Sequence, residues 1–236
     1  MRKLILLTLI IAFAYISQAQ DHKASQLLEK YGFTTEHVLN GLDLSNSTYS
    51  FSSTITTNTY TASTNSNFKD VRTYSFDAKK EKGAQFTLLS VNDTVPTKSD
   101  IKHFNKQHNS SSKQKKVILK QEDFFVKSND DATAVIGFNM PKDELPSKFA
   151  YMAHSTGFIY IDKKSGRITK IEIKSNEAFS MKIFHVTEML IQIKFAYNEE
   201  HKQYYIISEN TKMKILMLGA IAESKIEEVF SEFKFY

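Results

Sequence analysis

The chain has 236 residues, with 31 Lys and Arg against 26 Asp and Glu, 18 Phe, 11 Tyr, and neither Cys nor Trp. The lack of cysteine excludes disulfide scaffolds, thiolate metal centres, cysteine nucleophiles and an N-terminal lipidated cysteine. Seven glycines are few for phosphate-cradling loops, and 41% hydrophobic with 24% charged residues excludes a disordered chain and a multi-span membrane protein.

Arg2 and Lys3 precede an apolar stretch from Leu4 to Ile16, and Ser17-Gln18-Ala19 precedes the charged pair Asp21-His22. A basic start, a short apolar run and a small-x-small site form the layout of a secretory signal, expected over 1–19. The competing reading is an uncleaved anchor, but the run is short of the ~20 residues a spanning helix needs. Without Arg2 and Lys3 the balance is 29 basic against 26 acidic residues, a net +3, too little to argue for nucleic acid or a membrane surface. Residues 20–236 are expected to form one domain.

Leu27, Leu28 and Tyr31 share a helical face that stops at Gly32, and Val38, Leu39 and Leu42 mark a second short helix. After Leu44 the texture becomes strand-like. Tyr49, Phe51, Ser53 and Ile55 share one side, Phe68, Arg72, Tyr74 and Phe76 mark the next strand, and Gln85 to Leu89 a third. Thr97 to Asp100 caps a helix predicted to turn Ile101 and Phe104 inward. The polar run 109–116 reads as a loop.

Strand texture then dominates. Phe124–Lys127 and Ala132–Met140 form a hairpin pattern, as do Gly157–Asp162 and Arg167–Ile173 around Lys163–Gly166. From Met181 to Tyr197 the alternation places Met181, Ile183, His185, Met189, Ile191, Ile193, Phe195 and Tyr197 on one side. That length predicts a long bent strand or two strands with a corner near Thr187-Glu188. Tyr204–Ile207, Met213–Gly219 and Val229–Tyr236 complete the pattern. The fold expected is α+β: a curled, unclosed antiparallel β-barrel of about ten or eleven strands, its interior covered or plugged by a few short helices near Leu27 and Ile101. Several strands are apolar on both faces, so one face can pack while the other lines a cavity. Methionines 181, 189, 213 and 217 suit a pliable lining.

Three stretches resemble a known family. Phe86-Thr87-Leu88-Leu89-Ser90-Val91-Asn92-Asp93-Thr94-Val95-Pro96-Thr97 resembles the strand, Val-Asn-Gly-x-x-Pro-Thr and helix element of exported envelope proteins related to lipoprotein carriers, with Asp93 at the glycine position. Gly157 to Asp162 followed by Gly166-Arg167-Ile168 resembles their Gly-x-x-x-Ile-Asp and Gly-x-Ile hairpin, and Phe230 to Tyr236 their terminal strand. The group is the LolA-like superfamily, and the resemblance implies an unclosed antiparallel barrel with a helical lid and an apolar cavity for acyl chains.

No Gly-x-Ser-x-Gly, P-loop or dinucleotide fingerprint occurs. His103 and His108 are five apart, which is not zinc-helix spacing, and His185 on an apolar face reads as a core residue. Asp162 and Glu172 read as solvated charge. After processing only Arg72 and Arg167 remain of the arginines. Arg72 falls on the face of Tyr74 and Phe76, where a guanidinium could stack on rings and bind a carboxylate or acyl carbonyl, or simply pair with Asp70.

The reading is an exported, non-enzymatic binder or carrier of a lipid, acyl chain or lipidated protein in the cell envelope, periplasmic where there are two membranes. Its expected ligand-binding residues are Arg72, Tyr74, Phe76, Phe158, Tyr160, Met189, Ile191 and Ile193. No catalytic residue, metal, cofactor or nucleic-acid partner is expected, and the protein should be a monomer without a covalent anchor, touching membranes transiently. The alternative is an envelope interaction or structural module with a fully packed interior.

Overall fold

The computed structural model describes residues 23–32, 48–108, 119–141, 145, 147–181, 184–217 and 219–236. The expected leader, the helix around Val38 and the loop 109–116 lie outside them. Helix α1 covers 23–30 and α2 covers Lys98–His108. The strands are β1 (Ser50–Thr61), β2 (Ser66–Phe76), β3 (Phe86–Val91), β4 (Phe124–Asn129), β5 (Thr133–Asn139), β6 (Ser155–Asp162), β7 (Arg167–Ser175), β8 (Phe179–Met181), β9 (Phe184–Asn198), β10 (Gln203–Met217) and β11 (Ala220–Lys234).

All eleven lie in one antiparallel sheet in the order β3-β2-β1-β11-β10-β9-β7-β6-β5-β4, with β8 folded back on β9. β3 and β4 do not pair, so the sheet is not closed. The last strand, β11, lies between β1 and β10 and joins the first three strands to the rest.

Directly opposed residues share a face, so the register maps the sheet. One row crosses it from Val91 through Arg72, Ile55, Glu228, Glu209, Ile193, Ile171 and Ile159 to Ile136. Both described α-helices pack on this inner face. Leu28 and Ala24 of α1 are buried in an aliphatic core with Ile136, Ile159, Ile161, Ile171 and Ile173. Phe104 of α2 is buried in an aromatic core with Tyr49, Phe51, Tyr74, Phe76, Phe86 and Phe230. A third apolar cluster, Phe179, Val186 and Met189, adjoins them, and Ile191 packs against all three.

Local chemistry accounts for the turns. Thr97 and Asp100 cap α2 reciprocally: the Asp100 N–H donates to Thr97 Oγ1 at 3.2 Å and the Thr97 N–H to Asp100 Oδ2 at 2.9 Å. Asn92 and Asp93 adopt φ of +47° and +60°, the left-handed conformation for which glycine is the ordinary choice at that position. The 163–166 turn closes with Gly166 at φ +66°.

Four expectations change. Phe104 rather than Ile101 faces inward. Ile101 is 42% exposed, because inward facing on α2 is fixed by the aromatic cluster under Phe104. Met181 belongs to a separate strand, β8, that pairs back on Phe184. The anticipated corner exists as a bulge: Glu188 pairs with Lys214 and Val186 with Ile215, leaving Thr187 unpaired. That extra residue inverts the phase, so Val186 is buried and His185 exposed. Finally, β10 runs unbroken over fifteen residues, and β11 starts at Ala220, where Gly219 at φ +80° makes the turn. Its charged first half hides the strand from a hydrophobic pattern.

Candidate functional site

The register places Arg72, Tyr74, Phe76, Met189, Ile191 and Ile193 on the inner face, and Phe158 and Tyr160 on the outer one. Phe158 meets Phe125 edge-on, centroids 6.5 Å apart. Tyr160 donates its hydroxyl proton to Glu172. Lys170 Nζ lies 2.9 Å from the same carboxylate and 3.9 Å from the Tyr160 ring centre, and Gln192 Nε2 donates to Glu172 at 2.5 Å. Burial and Glu172 push the Tyr160 hydroxyl up to about 12. Burial also pulls Glu172 upward, but its three donors outweigh that and hold it below the usual glutamate range. This outer cluster is satisfied within itself. Asp162, which the sequence set beside Glu172 as solvated charge, accepts instead from Ser165 in its own turn.

On the inner face, Tyr74 and Phe76 are fully buried. Phe76 lies 4.8 Å from Phe86 and 5.1 Å from Phe51, stacked on the latter. Arg72 donates from Nε to Asp70 Oδ2 at 2.7 Å, two residues along the same face. His108, at the end of α2, lies over Phe104 at 4.2 Å, and burial followed by the nearby Arg72 charge holds its pKa below the ordinary imidazole value.

Between the two cores the inner face changes character. Beside the row of Arg72, Ile55, Glu228, Glu209 and Ile193 runs a second row: Asp70, Thr57, Ile226, Thr211, Ile191 and Ile173. A third brings Phe68, Thr59, Ser224, Met213 and Met189 together. Ile191, Ile226 and Met213 are half-buried, whereas Phe68 at the rim is 61% exposed. Half-buried apolar side chains and a polar end therefore share one surface.

That polar end holds residues the sequence reading passed over. Glu209 and Glu228 face each other across β10 and β11. Ser53 donates to Glu228 Oε1 at 2.7 Å, and Tyr74 donates to the same oxygen. Burial and then the Glu228 charge push Glu209 up to about 7. Burial raises Glu228 as well, against the pull of its two donors. The available signal was Ile226, Glu228 and Phe230 at spacing two, a glutamate on the apolar side of a strand.

Among the described residues no group of three or more His, Asp or Glu could hold a metal ion, and no helix is long and apolar enough to cross a membrane. A shallow cleft of about 490 Å³ lies between α1 and the edge strand β4, lined by Lys23, Gln26, Leu27, Lys30, Val126 and Asn129.

No family model matches the chain, and no curated protein does. Among solved structures it is similar to a LolA superfamily protein of Nitrosomonas europaea, at 10% identity and TM-score 0.31, covering 90% of this chain and 93% of that one. It is also similar to a putative outer membrane lipoprotein-sorting protein domain of Vibrio parahaemolyticus, at 10% identity and TM-score 0.32, covering 78% and 85%.

Proposed function

We propose that this chain is an exported, non-enzymatic binder or carrier of an amphipathic ligand such as a lipid, an acyl chain or a lipidated protein. One observation carries the reading. Met189, Ile191, Met213 and Ile226 lie on the same face as Arg72, Asp70 and the paired glutamates, in adjoining rows. An acyl chain laid on the first group brings a polar head to the second, where Arg72 offers donors to a carboxylate or carbonyl. The leader pattern over Leu4 to Ile16 supports export.

The alternative, an envelope interaction module with a filled interior, is favoured by the tight ring packing of the aromatic core. Native mass spectrometry of protein expressed through the export pathway, with titration of a fluorescent fatty acid, separates the two. The carrier reading expects co-purified acyl mass and probe binding that falls at least tenfold in Ile191→Asp and Met213→Asp at unchanged circular dichroism. A clean apo mass and no probe binding to wild type would leave the module. Unchanged affinity in Arg72→Leu would remove Arg72 from the site.

A further inference from the structure

The paired glutamates are the least expected feature of the inner face. Glu209 sits between Ile193 on β9 and Glu228 on β11, and Glu228 between Glu209 and Ile55 on β1. Two ionised carboxyls placed side by side in a partly desolvated row repel each other and lose hydration. The surroundings resolve the conflict unequally. Ser53 from β1 and Tyr74 from β2 both donate to Glu228 Oε1, which favours the carboxylate there. None of the hydrogen bonds found among the described residues reaches the Glu209 carboxyl, so the proton that relieves the pair belongs on Glu209.

The other charged groups facing this region are accounted for. Arg72 on β2 shares the row with Ile55 between them and is held by Asp70. His108 and Asp100 of α2 lie within the field of Arg72. On β9 the opposed residue is the apolar Ile193. Glu227, the neighbour of Glu228, pairs with Lys225 at 2.8 Å on the opposite face. Among the described residues no ion pair to Glu209 is found.

We propose that Glu209 and Glu228 form a proton-operated latch: one proton, held on Glu209, lets β10 and β11 keep both carboxyls on the inner face while Tyr74 and Ser53 tie β2 and β1 to Glu228. Loss of that proton sets two adjacent negative charges in the row and weakens the junction between the aromatic strands and the rest of the sheet. The effect has a definite sign. A carboxyl that binds its proton more tightly when folded contributes stability at low pH and loses it as pH rises towards and through its folded value. The half-buried His108, held low, works in the opposite direction, since its charging destabilises the fold as pH falls.

The test is thermal unfolding between pH 5.5 and 8.5, which needs no ligand and so stands apart from the carrier reading. Wild type should lose several degrees of melting temperature between about pH 5.5 and 7.5 and level off above that. Glu209→Gln should flatten that loss and melt higher than wild type at pH 8.5. An unchanged pH slope in Glu209→Gln overturns the latch. Should that variant fail to fold, carboxyl carbon-13 shifts of wild-type glutamates decide: one titrating near neutrality supports the latch, and all titrating below about pH 5 overturns it.

Discussion

The two halves of the inner face are built from different side chains. The half around β5, β6 and β7 is aliphatic: Ala134, Ile136, Ile159, Ile161, Ile171 and Ile173 stack under Leu28. Where rings enter, glycine makes room. A Cβ on Gly157 would meet Phe138 Cζ at 2.0 Å, so that ring covers the glycine opposite it on the neighbouring strand. The half around β1, β2, β3 and β11 is aromatic and admits polar atoms at its edge, because tyrosine carries a hydroxyl into the interior. An ionisable carboxyl is tolerated beside Tyr74 and would have no donor among isoleucines. Sensitivity to pH therefore collects where the rings are.

Variants can break or sharpen that contrast. The largest effect is expected from Phe104→Ala, which removes the α2 anchor of the aromatic half at a cost of ~3 to 5 kcal/mol. Hydrogen exchange should accelerate in β2 and β3 before β5 and β6, and a uniform loss would show that the halves are not separable. Gly157→Ala attacks the other half by driving a methyl into Phe138, costing ~1 to 3 kcal/mol by denaturant titration. Tyr74→Phe keeps the ring and removes one donor to Glu228, a loss of ~1 to 3 kcal/mol that should be larger at pH 8 than at pH 5. Thr97→Ala, which strips the α2 cap, should cost ~1 kcal/mol at any pH between these.

The smallest effect falls at the other end of the pH scale. Hydrogen bonds from Thr133 and Ala132 hold Asp130 below the usual aspartate range, and Ser165 does the same for Asp162. A depressed carboxyl contributes stability above its unfolded pKa of ~3.9 and loses it as pH falls through the folded value. These hairpin turns should therefore loosen in acid, visible as amide shift changes below about pH 4, while the glutamate pair responds to base. No acid-specific change at Thr133 and Ser165 would remove this part of the contrast.

Much of the local architecture could be read from residue order. The 157–173 hairpin follows from alternation plus a glycine turn, and the strand sides of Phe51, Ser53 and Ile55 from spacing two. The phase of β9 could not, since an extra residue at Thr187 becomes visible only once β10 is laid beside it. Glu209 and Glu228 were hidden for a related reason. A glutamate is buried or exposed according to its neighbours across the sheet, and Tyr74 reaches Glu228 over 154 positions of chain. Alternation set Phe158 and Tyr160 opposite Ile159 and Ile161, but as hydrophobes the two pairs looked equivalent, and the register alone showed which pair faces inward.

The place of β11 has a temporal consequence. β1, β2 and β3 can form a meander by themselves, but they join the remaining strands through β11, whose partners on β1 stand some 180 positions earlier in the chain. Closing so large a loop is entropically costly and slows folding. A chain emerging from a ribosome or a translocation pore cannot complete this sheet until Ala220–Lys234 has cleared it. Until then the Tyr74 hydroxyl has no Glu228 to meet, and the meander waits half-assembled for its final neighbour.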